Sequence, residues 1–575
     1  MSCRSNNRTQ TTIEKLFGFM NRRQMLMAMG LMAAGSPLLA APTPETRTGQ
    51  KFPIFNILDF GAIGDGRTLN TTFINKAIDA CTAAGGGMVY MPPGIYLSGT
   101  VFLKSNVTLY LEAGATLLGS TNLADYSPSA GPPADGDANQ KHLVCGRDAE
   151  NVGLAGLGTI DGQGPAYWAP NGRVPLPPED AWRDTIAHGW KHLPRPSPMV
   201  EFYNCKNLRI EDVHIQNSPG WTLRPIHCDN VFIRGISIKN PVYGPNADGI
   251  DPTCCQNVFI SDCLIDTGDD AICLKSENPY GEPLRASKNI TITNCVLSGC
   301  CNGFKIGTST HGGYENIVFS NSVIFNEDVP LNSRIIAGIA LEMVDGGSVD
   351  GVLISNIRMQ RARTPIFIRR GNRKPRPDGT PGTLRGVMIE NIHASDSILT
   401  SSITGIPGFE VEDVTLSNIR IDSQENGKAE WVRRRIPETE KAYPEAREFG
   451  RLPSYGFYCR HVTGLRLRNI EFTSGKDEER PAVVCDDIQN LDVDGLRSQP
   501  VVGSQPVIKL IQTRQAFLRG CYAPAGTKTF LEVQGNATDA IVLTNNNLLG
   551  AEQAVLTGTE VSQAAVTASG NVVKT

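Results

Sequence analysis

Several hallmarks of other protein classes are missing from this chain. No long basic run and no basic stripe interleaved with aromatics stands out, and its formal net charge is −4, so no nucleic-acid partner is expected. Its 15 cysteines contain no Cys-x-x-Cys pair with zinc-ligand spacing. Beyond residue 41 no apolar run is long enough to span a bilayer, which argues against stable membrane insertion. No helical phrase separates the strand-like phrases described below, and their spacing is too irregular for leucine-rich repeats.

What is present points to a long repeating chain. A length of 575 residues would ordinarily be divided among several domains, but a solenoid escapes that limit because its core grows along one axis. The 58 glycines and many asparagines fit frequent tight turns. Cysteines occur as neighbours, Cys254-Cys255 and Cys300-Cys301, or at equivalent turns, Asn204-Cys205 and Asn294-Cys295. That placement suits thiols stacked inside a repeat better than a disulfide framework.

Residues 1–41 read as an export signal. Asn21-Arg22-Arg23-Gln24-Met25-Leu26 opens a short Met/Ala/Leu/Gly stretch that ends in small residues near Leu39-Ala40-Ala41. The paired arginines resemble a twin-arginine signal, with a general secretory signal as the alternative; either predicts a periplasmic or secreted protein. From Phe52 a short strand and a Gly-rich turn lead to a predicted helix, capped by Asn70 or Thr71, with Phe73, Ile74, Ala77 and Ile78 on one face. It is placed to cover the open end of a solenoid.

The repeat is a strand phrase that starts with Asn or Gly. Copies run Asn207-Leu208-Arg209-Ile210, Asn230-Val231-Phe232-Ile233, Asn257-Val258-Phe259-Ile260, Asn289-Ile290-Thr291-Ile292 and Asn316-Ile317-Val318-Phe319, with weaker ones from Gly351, Gly386, Asp413 and Gly464. This predicts an all-β chain, a single-stranded right-handed parallel β-helix over 52–575 with a short N-terminal capping helix. Each leading Asn suits an internal amide ladder. Insertions near 162–198 and 424–456 interrupt the rhythm and should form walls beside a groove, where Trp168, Trp182, Trp190 and Trp431 could stack on sugars.

Within this scaffold Asn246–Ser276 carries more acid than strands need: Asp248, Asp251, Asp269 and Asp270. If one repeat is one coil, Asp248 should stack near Asp269, about 5 Å away on the next coil. Gly268 should ease the turn that brings Asp269 and Asp270 to one groove. Acidic turns or a calcium site are the competing reading.

These residues resemble glycoside hydrolase family 28, the polygalacturonases and their relatives, over roughly 52–475. The likeness runs from Asp59-Phe60-Gly61-Ala62 and Pro92-Pro93-Gly94-Ile95-Tyr96 through Gly158-Thr159-Ile160-Asp161-Gly162-Gln163-Gly164 and Asn217-Ser218-Pro219-Gly220-Trp221. It then includes the family's Asn-x-Asp and Gly-Asp-Asp motifs, here Asn246-Ala247-Asp248 and Gly268-Asp269-Asp270. The resemblance implies an inverting hydrolase without metal or cofactor. Asp269 would be the general acid, and Asp248 and Asp270 would hold and deprotonate the water.

Departures from the family pattern set further expectations. Where the family has Gly-His-Gly, this chain has Cys301-Asn302-Gly303, and the family's Arg-x-Lys pair for the substrate carboxylate is replaced by Ala340 and Glu342. A Glu342 carboxylate facing the scissile sugar would repel a galacturonate, making unmodified homogalacturonan a poor substrate. Lys275, Lys305, Arg334, Arg369 or Arg370 could supply the missing cation. Asn246, Lys275, Asn302, Lys305 and Glu342 are therefore the expected substrate-binding residues. The reading is an exported monomeric glycoside hydrolase of a pectic or related polysaccharide or oligosaccharide, with altered subsite specificity. Alternatives on the same scaffold are a polysaccharide lyase and a non-catalytic carbohydrate-binding β-helix.

Overall fold

The computed structural model describes residues 53–128, 140–281 and 283–574; the export signal expected over 1–41 lies outside them. Each strand phrase becomes one rung of a parallel stack. Leu208, Val231, Val258, Ile290, Ile317 and Val352 are successive register partners, all buried. The column continues through Val387, Val414, Leu465, Leu491 and Ala516 to Ile541. Alternation within a rung points Leu208 and Ile210 inward and Lys206 and Arg209 outward. Every coil adds rungs to three stacks, as with Lys206–Glu211, His214–Gln216 and Leu223–Ile226, so the protein is a parallel β-helix.

The asparagine ladder is present, but on the outside. Side-chain amides run Asn207 to Asn151, Asn230 to Asn207, Asn257 to Asn230, Asn289 to Asn257 and Asn316 to Asn289 at 3.0–3.1 Å. These residues are half-buried or exposed and have φ between 54° and 57° where they turn the chain from Asn207 to Asn316. Their side chains are chosen for the left-handed turn, which Asn tolerates, as much as for the amide bonds. The expectation of an internal ladder is corrected accordingly. A second ladder links Asn321, Asn356, Asn391, Asn418 and Asn469.

The N-terminal helix spans Thr71–Ala83 and buries Ile74, Ala77, Ile78 and Cys81 against the first strands. Asn70 is its N-cap residue, and its carbonyl accepts the Ile74 N–H, but its side chain makes no capping bond. Its buried side chain instead bonds the backbone of Ile63 and Thr68 and ties down the preceding loop. Among the described residues every cysteine is a free thiol, and all but Cys301 are buried. Cys228 and Cys255 donate to carbonyls of the preceding coil, Phe202 and Pro225, so stacked thiols satisfy themselves without pairing. No described helix is long and apolar enough to cross a membrane.

Candidate active site

The outward face of one strand stack, Leu223–Ile226, Ile272–Leu274, Asn302–Ile306, Ala337–Met343 and Thr364–Arg370, forms a floor. The Asn246–Asp251 segment is clamped between two of its coils. Thr222 N–H bonds the Asp248 carbonyl at 3.0 Å, and Gly249 N–H bonds the Asp270 carbonyl at 2.8 Å. Ile250 bridges Ile272, so the register sets Asp248 opposite Asp270. The strand-spacing expectation of Asp248 opposite Asp269 is off by one residue. In a strand one residue changes the face, so Asp248 and Asp270 turn into the buried floor while Asp269 lines the open pocket. Gly268 is needed for close approach rather than for a left-handed turn. A Cβ there would lie 2.5 Å from the Gly244 carbonyl oxygen.

Two buried lysines interleave with these carboxylates. Lys275 Nζ lies 3.1 Å from Asp251 and 3.5 Å from Asp248, and 4.9 Å above the Trp221 ring centroid. Lys305 Nζ lies 3.1 Å from Asp270 and 3.3 Å from Glu342. Asn302 donates to Asp270 from its side-chain amide at 2.7 Å and from its backbone at 3.1 Å. Asp269 accepts the Asp270 N–H at 2.9 Å.

The electrostatic consequences separate the acids. Burial raises Asp269 to about 6, with the neighbouring Asp270 adding to it and Lys305 opposing. Burial also pushes Asp270 upward, but Lys305, Lys275 and Asn302 outweigh it and hold it below the usual carboxylate range. Asp248 is raised well above that range by burial, Asp251 and Asp269. Both lysines are strongly desolvated, yet their acid partners hold them protonated. The site thus offers a proton-bearing acid beside an ionised one. Asp269, Asp270 and Cys301 bring three donor atoms within 4.8 Å of one another. They are poor metal ligands, because Asp270 is committed to Lys305 and Asn302 and burial keeps the Cys301 thiol protonated.

Glu342 does not face the pocket. It is 0% exposed, beneath Lys305, and burial raises its carboxyl to about 8. The expected repulsion of a galacturonate by Glu342 therefore falls away. Of the other cations considered, Arg334 binds Val329 and Asp328, Arg369 binds Gly405 and Glu438, and Arg370 binds Gly382 and Glu410, all away from the acids. Asn246 lines the pocket, whereas Lys275, Asn302 and Lys305 are buried behind the carboxylates.

Both insertions do wall the site. The pocket, about 630 Å³, is lined by Asn246, Gly268, Asp269, Cys300 and Cys301, by Asn171, Arg173, His188, Trp190, Lys191 and His192 of the first insertion, and by Tyr443 and Glu445 of the second. Trp190 is the expected aromatic lining it, leaning on Tyr243 with centroids 4.8 Å apart. Trp168 and Trp182 are buried structural residues. Sequence reasoning missed the contributions of Cys301 and Tyr443. The position of the second insertion was the signal for Tyr443, whereas Cys301 stands a full coil away from the acids in sequence and carried none.

A family model described as "Glycosyl hydrolases family 28" matches residues 81–439. A probable polygalacturonase from Vitis vinifera is 28% identical over 387 residues, 64% of this chain and 74% of its own. An exo-poly-alpha-D-galacturonosidase from Dickeya chrysanthemi is 26% identical over 412 residues, 65% of this chain and 67% of its own. Among solved structures, an exopolygalacturonase from Thermotoga maritima superposes with a TM-score of 0.51 at 26% identity, covering 64% of this chain and 87% of that one.

The buried state of Glu342 has a thermodynamic signature. Its folded value near 8 lies above the ordinary 4.5, so between those limits the folded protein binds the extra proton and loses stability as pH rises. Glu342→Gln should remove that loss. Thermal unfolding of the variant should match wild type near pH 5 and exceed it near pH 8. A variant destabilised equally at both pH values would mean that Glu342 is an ionised partner of Lys305.

Proposed function

Since the chain belongs to glycosyl hydrolase family 28, we propose that it is an exported hydrolase cutting a pectic polysaccharide, or an oligosaccharide derived from one, with Asp269 as the general acid. The observation that carries this reading is the split between adjacent acids: Asp269 raised to about 6 and Asp270 held low by Lys305 and Lys275. Asp269 donates its proton to the leaving glycosidic oxygen, and the ionised Asp270 takes a proton from water. Asp248, proton-bearing in the free enzyme, holds that water from the adjoining coil. Inversion then follows attack from the face opposite the leaving group. Asp269 and Asp270 oxygens approach within 4.8 Å, closer than the roughly 6.5–9.5 Å usual for inverting pairs and nearer the roughly 5–5.5 Å of retaining ones, so the anomer of the first product tests the inversion proposed here. A lyase would need a neutral base beside the uronate. Lys275 and Lys305 are both held protonated, which disfavours that alternative.

Subsite recognition differs from the family pattern in where its cations stand. The positions of the Arg-x-Lys pair hold buried Ala340 and Glu342, while Arg173 and Lys191 of the first insertion line the pocket. Substrate carboxylates are read from the wall instead of the floor. Arg173→Ala with Lys191→Ala should raise KM for uronate-containing fragments about tenfold, the equivalent of roughly 1.4 kcal/mol, with little change for neutral ones. Equal effects on both would sink this assignment.

The hydrolase reading is tested by incubating purified protein with defined pectic oligosaccharides and weighing the products by mass spectrometry. Hydrolysis adds water to each new reducing end, whereas a lyase gives unsaturated products. Asp269→Asn should fold normally and lose about 100- to 10,000-fold in kcat. The wild-type kcat/KM should fall above about pH 6, as Asp269 loses its proton. Retention of activity within a few-fold would remove Asp269 from the role.

Export is part of the same proposal and rests on Arg22-Arg23 and the apolar stretch after them. Changing both arginines to lysine should leave unprocessed precursor in the cytoplasm if the twin-arginine route is used. Normal export of the double variant would instead indicate the general secretory route.

A further inference from the structure

Downstream of the acids the floor of the cleft is covered. On successive rungs of this stack the outward side chains Ala340, Phe367, Ser402, Tyr458 and Val484 are all buried. Ile436, Ala446, Phe449 and Leu452 of the 424–456 insertion pack directly onto the apolar ones as one cluster. Covering begins at the site itself. Lys305 is the register partner of Ala340, and the Tyr443 hydroxyl lies 3.4 Å from the Lys305 ammonium.

This cover is anchored on several sides. Arg460 donates to the Ile436 carbonyl at 2.8 Å, Asn372 N–H to the Glu440 carbonyl at 2.7 Å, and Arg480 to Glu425 at 2.6 Å. At its far edge Arg451 stacks 4.2 Å above the Trp182 ring, and buried Arg363 bonds the Trp182 and Asp184 carbonyls. The two insertions therefore meet across the floor. Burying apolar side chains at about 25 cal/mol per Å² makes such a contact costly to open. A polymer lying along the stack would have to displace it.

The geometry points to attack at a chain end: the terminal unit of the polysaccharide enters the pocket, and the insertion at 424–456 stops the chain from continuing downstream past Lys305. This inference rests on the hydrolase reading above and specifies its mode of action. It assigns the insertion a role in limiting product length, with Tyr443 as the residue nearest the stop.

The test uses unlabelled homogalacturonan and mixed pectic polymers and follows, by mass spectrometry, the sizes of the short products released at the earliest time points. A single short product, with solution viscosity nearly constant while reducing ends accumulate, is the expected result. An early ladder of intermediate fragments would overturn terminal attack while leaving the hydrolase reading intact. Failure to cleave any member of the panel would overturn both. Replacing residues 428–452 with a short Gly/Ser linker should turn the single product into a ladder. A folded variant that still releases one short product would overturn the role given to the insertion. If that variant does not fold, the wild-type product pattern still decides between terminal and internal attack.

Discussion

Two ammonium groups taken out of water hold the site in its working charge state. Lys275 sits between Asp248 and Asp251, and Lys305 between Asp270 and Glu342. At an effective dielectric of about 20, unit charges about 4 Å apart interact by roughly 4 kcal/mol. Asp248 and Asp270 on neighbouring coils could not both be buried as bare anions at that cost. The lysines hold Asp270 ionised, while burial and its neighbour let Asp269 keep a proton up to about pH 6. Removing one partner of a buried pair typically costs about 3–5 kcal/mol, because the other charge is stranded. The same side chains that shape catalysis therefore also constrain folding around it.

The scaffold makes this possible by being repetitive. Parallel register repeats the same three faces on every coil, so residues far apart in sequence become neighbours at one rung spacing. Lys305 is the register partner of Cys273, two residues before Lys275, and Glu342 lies two residues past Ala340, the partner of Lys305 on the next coil. Ala340 and Glu342 on this floor thus have two effects. The floor can be covered by an apolar insertion at Ala340, and Glu342 becomes a buried companion of Lys305 instead of a residue that meets substrate.

Much of this glycoside hydrolase was legible from its residues. Apolar phrases at Leu208, Val231, Val258 and Ile290 announced the stack because a strand with one buried face must alternate. The Asn at the head of each phrase marked the turn, though its outward placement was not evident, since an amide ladder forms equally well on either side of a wall. The acids Asp248, Asp269 and Asp270 stood out as more charge than a strand scaffold uses. Their partnership was misjudged by one residue, and a strand turns that error into the opposite face.

The β-helix, the capping helix, the family and the acidic cluster can all be read from the residues alone, because each is written in local periodicity or in short contiguous motifs. Tertiary structure alone decided which acid faces the pocket, because register is set by hydrogen bonds between coils. It also decided that Glu342 is buried and raised to about 8, because desolvation depends on everything packed around a group. The meeting of Trp182 with Arg451, and the apolar cover over Ala340 and Phe367, were likewise out of reach. Those contacts join segments well separated along the chain, and nothing in either segment names the other.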